Sequence, residues 1–218
     1  MNATVLVIAK APVAGLVKTR LTPPVTPGQA ARIAAAALLD TLDAARAASP
    51  RVVVAMAGRL TYAEYASELR AALATTTVLE QRGATFGDRI ANAHTDVAAL
   101  GCPGAVLQIG GDTPQLTAQL LADAVVQLST VDAVLGPAKD GGWWALGVRD
   151  PAAAEAVRMV PMSREDTGER TLKVLQSNGL RVALLPELSD VDTMADAMRV
   201  ARCWPVGRFS AAVREAGA

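Results

Sequence analysis

Short apolar runs alternate along this chain with longer, alanine-rich amphipathic stretches. Thr4–Ala9 (TVLVIA) is apolar after its first position and rich in β-branched residues, the pattern of a strand buried on both faces. Arg51–Ala55, Thr75–Leu79, Ala105–Ile109, Val131–Leu135, Trp143–Val148 and Arg181–Leu185 read as further strands. The stretches between them carry helix-start signals. Thr26 followed by Pro27 forms an N-cap and first-turn pair for a helix reaching about Ala48. Thr61-Tyr62-Ala63-Glu64 fits a capping box opening a helix to Ala74. Thr117 is placed to cap Ala118–Leu128, and Asp192 to cap a helix ending near Cys203.

Strands covered on both faces and joined by helices predict an α/β fold of three layers, α/β/α, around a mainly parallel, Rossmann-like sheet. In such folds ligands bind beyond the carboxyl ends of the strands, near the point where strand order reverses. No repeat, linker or composition break divides the chain. One domain is expected over 1–204, with 205–218 as a surface tail.

Composition narrows the class. At 218 residues the chain is long enough for a full core, although about a fifth of it is alanine. Lys+Arg and Asp+Glu are equal at 21 each, which argues against a nucleic-acid partner. Cys102 and Cys203 are far apart and outside any metal spacing, so both are expected to be packing residues. The first residues lack a basic leader and no apolar run is long enough to span a bilayer, so a cytoplasmic protein without a membrane partner is expected. The balance of charge is nevertheless uneven. Before Asp40 the chain has Lys10, Lys18, Arg20 and Arg32 but no carboxylate.

The residues that follow each strand carry the chemistry. After the first come Lys10, Gly15, Lys18, Thr19 and Arg20, in a loop suited to phosphate: lysines as point charges, arginine as a fork, and glycine-turn amides as a nest. The fourth strand ends in Gly110-Gly111-Asp112-Thr113-Pro114, where Asp112 either ligates a hard cation or closes the turn. Asp190 and Asp192 follow the last strand and alternate, so in an extended segment they share a face. Either can ligate a metal, and Asp192 can instead cap. Asp140-Gly141-Gly142 lies between these sites; its glycines allow close approach and Asp140 can accept hydroxyls or act as a base. One of Trp143 and Trp144 should face the core. His94, the one histidine, is expected to be a packing or satisfied surface residue, and no Ser-His-Asp triad assembles.

KAPVAGLVKTRL, FGDRIANAH, GGDTP, GPAKDGGWWALG and DVDT, in that order, resemble the GT-A-type nucleotide-diphosphosugar transferase superfamily over about residues 4–201. Within it, the chain is similar to a bacterial family labelled as glycosyltransferases, some of the arsenosugar-biosynthesis type. It also resembles the phosphoenolpyruvate and 2-phospholactate guanylyltransferases. The resemblance implies that Lys10, Lys18 and Arg20 hold nucleotide phosphates and that Asp112 ligates Mg²⁺ or Mn²⁺ with Asp190 or Asp192. It implies that Arg89 lies beside the nucleotide, that Asp140, Gly141 and Gly142 line an acceptor pocket, and that Ser163 contacts phosphate ahead of a helix beginning near Glu165. The chain departs from the wider pattern in lacking both the glycine-rich nucleotidyltransferase loop and a strict Asp-x-Asp.

The basic first loop motivates, as the expected activity, metal-dependent nucleotidyl transfer from an NTP to a phosphorylated small molecule, with pyrophosphate released. Lys18, Asp112 and Asp140 are then the catalytic candidates. Transfer from a nucleotide sugar to a small-molecule acceptor, and nucleotide binding without turnover, are the alternatives.

Overall fold

The computed structural model describes residues 3–101 and 104–217. Within them seven strands form one sheet: β1 (Ala3–Lys10), β2 (Val52–Ala57), β3 (Thr77–Glu80), β4 (Ala105–Gly110), β5 (Ala133–Pro137), β6 (Trp143–Val148) and β7 (Val182–Leu184). Their order is β3-β2-β1-β4-β6-β5-β7, parallel except that β6 runs opposite to β4 and β5. Alternate β1 side chains point to opposite faces. Val5 and Val7 share one buried cluster with Leu38 and Leu42 of α1 (Pro27–Ala48), Leu69 of α2 (Ala66–Leu73) and Leu121 of α4 (Ala118–Gln127). Leu6 and Ile8 face the other layer, with Ile90 and Val97 of α3 (Phe86–Ala99) and Leu175 of α5 (Thr167–Ser177). The expected three-layer, mainly parallel α/β/α architecture is the one present.

Two helix starts differ from expectation. Thr61 and Glu64 cap nothing. The chain makes a short 3-10 turn at Leu60–Tyr62, and α2 begins after Tyr65, which has left-handed backbone (φ 50°). Glu64 is instead drawn to α1, where it pairs with Arg32 at 3.1 Å. At α6 (Met194–Cys203) the cap is Thr193, not Asp192, in a reciprocal box with Asp196. Asp192 is thereby left for the cleft described below. Cys102 lies outside the described residues. Cys203 is exposed rather than packed, because the buried stripe of α6 runs through Met194, Ala197, Val200 and Ala201.

The last residues form a helix, α7 (Arg208–Ala216), which packs on α1 and α6 through Phe209, Ala212 and Val213. Its amino end is capped from a distance. Asp40 of α1 accepts from the amides of Arg208 (3.2 Å) and Phe209 (2.9 Å), a carboxylate at the positive end of the helix. Gly207 is required there: its φ is +112° and a Cβ would lie 2.7 Å from the Asp40 carboxylate. Among the described residues no helix is long and apolar enough to cross a membrane.

Candidate functional site

After β3 the chain returns to place β4 on the far side of β1, so strand order reverses between β1 and β4. The residues beyond these two strands are pressed together. The Gly111 amide donates to the Ile8 carbonyl at 3.0 Å, and a Cβ on Gly111 would meet Leu38 at 3.0 Å and Ala9 at 3.2 Å. A cleft of about 610 Å³ opens above them. Lys10, Lys18, Thr19, Arg20, Arg89, Asp112, Asp140, Gly142, Ser163, Asp190 and Asp192 all line it.

The basic loop supplies one wall, and its cations differ in placement. Lys10 folds back over its own loop to the Leu16 carbonyl (2.8 Å). Gly15, at φ +76° with open space around it, makes the turn and lies outside the cleft lining. Lys18 is held in left-handed backbone (φ 45°, ψ 40°), uncommon for a non-glycine residue. Its ammonium reaches Asp112 Oδ2 at 2.7 Å and donates to the Val191 carbonyl at 2.8 Å. Burial alone would push the Lys18 pKa down; the Asp112 carboxylate, with Asp192 and Asp190 behind it, outweighs this and raises it. Asp112 is reciprocally lowered by the Lys18 charge against its own desolvation. Arg20 pairs with Asp192 at 3.0 Å.

The carboxylates gather because β5 and β7 run parallel and their pairing continues through an Ala138–Leu188 bridge. Two residues beyond that bridge stand Asp140 and Asp190. Asp140 accepts from the Gly142 amide at 2.7 Å. Burial, a hydrogen bond with Asp140, and then the charges of Asp140, Asp112 and Asp192 raise the Asp190 pKa to about 7. Asp190 therefore keeps its proton to near neutral pH. Buried Gln115 pins this segment, its amide nitrogen donating to the Ser189 carbonyl at 2.6 Å.

A further part of the lining depends on glycines. A Cβ on Gly141 (φ +86°) would sit 1.8 Å from the Glu165 carbonyl oxygen, and the Gly168 amide donates to the Gly141 carbonyl at 2.7 Å. Gly141 therefore holds the segment before α5 against the cleft rather than facing ligand. That contact brings Ser163, at φ 60°, and Arg164 to the rim, and α5 begins at Thr167 rather than near Glu165. Trp143 lines the cleft and donates to Thr171 Oγ1 at 3.2 Å. Trp144 is buried, its indole N–H donating to the Pro186 carbonyl, as alternation requires.

Within FGDRIANAH most residues serve the fold. Thr85 and Asp88 form the capping box of α3; that backbone bond, then Arg158, lowers the Asp88 pKa to about 2. Asn92 donates to the Arg82 carbonyl. His94 is fully buried, its Nε2 within 3.1 Å of Gln108 Oε1, so it is a packing histidine. Phe86 and Arg89 reach the cleft. Gln81, Phe86 and Arg164 line it without having been singled out from sequence. Gln81 directly follows β3 and donates to the Ala9 and Ala55 carbonyls, both at 2.8 Å. The strand-end rule would have found Gln81, whereas Arg164 reaches the site only through the glycine contact.

The acidic groups offer oxygen ligands, which suit a hard divalent cation. Among the described residues no three His, Cys, Asp or Glu side chains stand together as a metal cage. The arrangement fits an ion that takes the rest of its coordination from phosphate oxygens and water, as Mg²⁺ commonly does.

In solved structures the chain is similar to a provisionally named nucleotide-diphospho-sugar transferase from Desulfovibrio desulfuricans G20. The identity is 25% with a TM-score of 0.87, covering 99% of this chain and 95% of that one. It shares its fold with Rv0371c of Mycobacterium tuberculosis H37Rv, solved with manganese (20% identity, TM-score 0.53, 93% and 100% covered). It also shares it with CMP:2-keto-3-deoxy-manno-octonic acid synthetase in complex with CTP (12%, 0.56, 94% and 99%). No curated protein matches the chain in sequence. A family model described as "Uncharacterized protein conserved in bacteria (DUF2064)" matches residues 38–164, more than half of the chain.

Proposed function

The chain belongs to the DUF2064 family, and from that premise we propose that it is a nucleotide-using transferase of the nucleotidyl type. It joins an NTP to a phosphorylated small molecule and releases pyrophosphate. The observation that carries this reading is one cleft that gathers Lys10, Lys18, Arg20 and Arg89 with Asp112, Asp140, Asp190 and Asp192, Lys18 paired to Asp112 and Arg20 to Asp192. The fold shared with a provisionally named nucleotide-diphospho-sugar transferase and with a synthetase solved with CTP supports the substrate class.

In this reading Lys10, Lys18 and Arg20 neutralise the triphosphate, and Arg89 lies beside the nucleotide. Ser163 and Arg164 orient the phosphate of the acceptor, and Trp143 and Gly142 bound its pocket. An acceptor phosphate oxygen attacks the α-phosphorus as the bond to the β-phosphate oxygen breaks. The acceptor is already anionic, so no side-chain base is required. The chain's contribution is alignment and charge neutralisation. Asp112 with Asp190 or Asp192 would hold Mg²⁺ or Mn²⁺, which supplies charge stabilisation at the phosphates when bound. The manganese complex of Rv0371c supports that choice of metal.

Glycosyl transfer from a nucleotide sugar is the second reading, favoured by Asp140, a cleft carboxylate held by the Gly142 amide. A hydroxyl acceptor would use Asp140 as its base. A thermal-shift screen of NTPs and nucleotide sugars, with and without Mn²⁺, tests the choice. Nucleotidyl transfer predicts Mn²⁺-dependent stabilisation by at least one NTP. Stabilisation by nucleotide sugars alone would overturn it.

A further inference from the structure

Lys18 is set apart from the other cations of its loop. Its side chain is only 15% exposed, against 73% for Arg20. It bridges two of the three segments that carry the carboxylates, reaching Asp112 of one and the Val191 carbonyl of the other. The left-handed backbone that aims it (φ 45°) is disfavoured for a residue with a side chain, and neighbouring contacts maintain it. A divalent ion approaching the same Asp112 oxygen meets an ammonium 2.7 Å away, and like charges at that spacing repel strongly. The two cannot both sit there.

We propose that Lys18 is the built-in counter-ion of the carboxylate cluster, holding the place of the metal until a nucleotide arrives. This rests on the nucleotide-transferase reading and adds a binding order to it. Once displaced from Asp112, the ammonium needs another anion, and a nucleotide phosphate provides one. Metal alone therefore binds weakly, metal with nucleotide binds tightly, and each strengthens the other.

The test is Mn²⁺ binding without nucleotide, followed by the electron-paramagnetic signal of free Mn²⁺, in wild type, K18Q and R32Q, Arg32 being paired with Glu64 outside the cleft lining. K18Q is expected to bind Mn²⁺ about 10-fold or more tightly than wild type, and R32Q to change by less than about 3-fold. Adding an equimolar mixture of ATP, GTP, CTP and UTP should tighten Mn²⁺ binding about 10-fold or more in wild type and far less in K18Q. Equal or weaker Mn²⁺ binding by K18Q overturns the inference, as does an equal gain in R32Q, which would signal only long-range charge. If K18Q does not fold, tight nucleotide-free Mn²⁺ binding by wild type overturns it, and weak binding that nucleotide tightens supports it. The Mn²⁺-only arm decides the role of Lys18 even if no nucleotide binds, an outcome that would count against the transferase reading alone.

Discussion

Asp112 and His94 show what single side chains do in this molecule. Asp112 sits where the turn after β4 meets the basic loop, with Lys18 on one oxygen. Asp112→Asn keeps the shape and removes the charge, so metal-dependent nucleotide binding should fall by about 100-fold. Isothermal titration with and without Mn²⁺ measures this, and an unchanged Mn²⁺ dependence would remove Asp112 from the metal site. His94 governs acid stability instead. Burial lowers its pKa from 6.5 to about 4, only partly opposed by Gln108. Above pH 6.5 both folded and unfolded states carry it neutral. As pH falls from 6.5 towards 4 the unfolded chain gains a proton that the folded one refuses, and stability drops by up to about 3 kcal/mol. The raised Asp190 acts in the opposite sense over the same range, since its folded form takes up the proton. Urea denaturation at pH 7 and 4.5 should therefore show a smaller acid loss for His94→Gln than for wild type. Equal losses would contradict the assignment.

Elements were legible where the pattern was redundant. The strand positions follow from runs apolar on both faces, and their limits differ from expectation by two residues or fewer. Cap assignment was less secure because adjacent hydroxyls and carboxylates compete. Thr193 with Asp196 offers two reciprocal bonds, and Asp192 alone offers one. The helix α7 was illegible for a different reason. Its cap is Asp40, 168 residues away from Arg208, and its hydrophobic partner is α1. It is integral to the fold, and Phe209→Ala should destabilise the protein by about 3–5 kcal/mol. A thermal midpoint within a degree or two of wild type would show that α7 is dispensable. Gly141→Ala tests a different contact, since its new methyl overlaps the Glu165 carbonyl. The segment bearing Ser163 and Arg164 should then loosen, seen as faster amide hydrogen exchange there without loss of the sheet.

At the scale of the whole molecule, equal numbers of acids and bases conceal a cleft where opposite charges are gathered. Lys10, Lys18 and Arg20 precede Asp40 in the chain, the carboxylates follow β4, β5 and β7, and the sheet brings them into one cleft. The candidate residues could be chosen from sequence because parallel strands deliver their carboxyl ends to one edge. The pairings could not, since Lys18 with Asp112 and Asp140 with Asp190 depend on strand order and register. If the acceptor is an anionic phosphate, Asp140→Asn should leave turnover within about 10-fold of wild type. A hydroxyl acceptor needs a base and predicts a loss of about 100-fold or more. The most direct measurement is the leaving group. Purified protein is incubated with Mn²⁺, the four NTPs or a set of nucleotide sugars, and a panel of phosphorylated metabolites. Nucleotidyl transfer predicts Mn²⁺-dependent pyrophosphate with at least one NTP and acceptor, abolished by Asp112→Asn. Release of nucleoside diphosphate from a nucleotide sugar, with no pyrophosphate from any NTP, would contradict it.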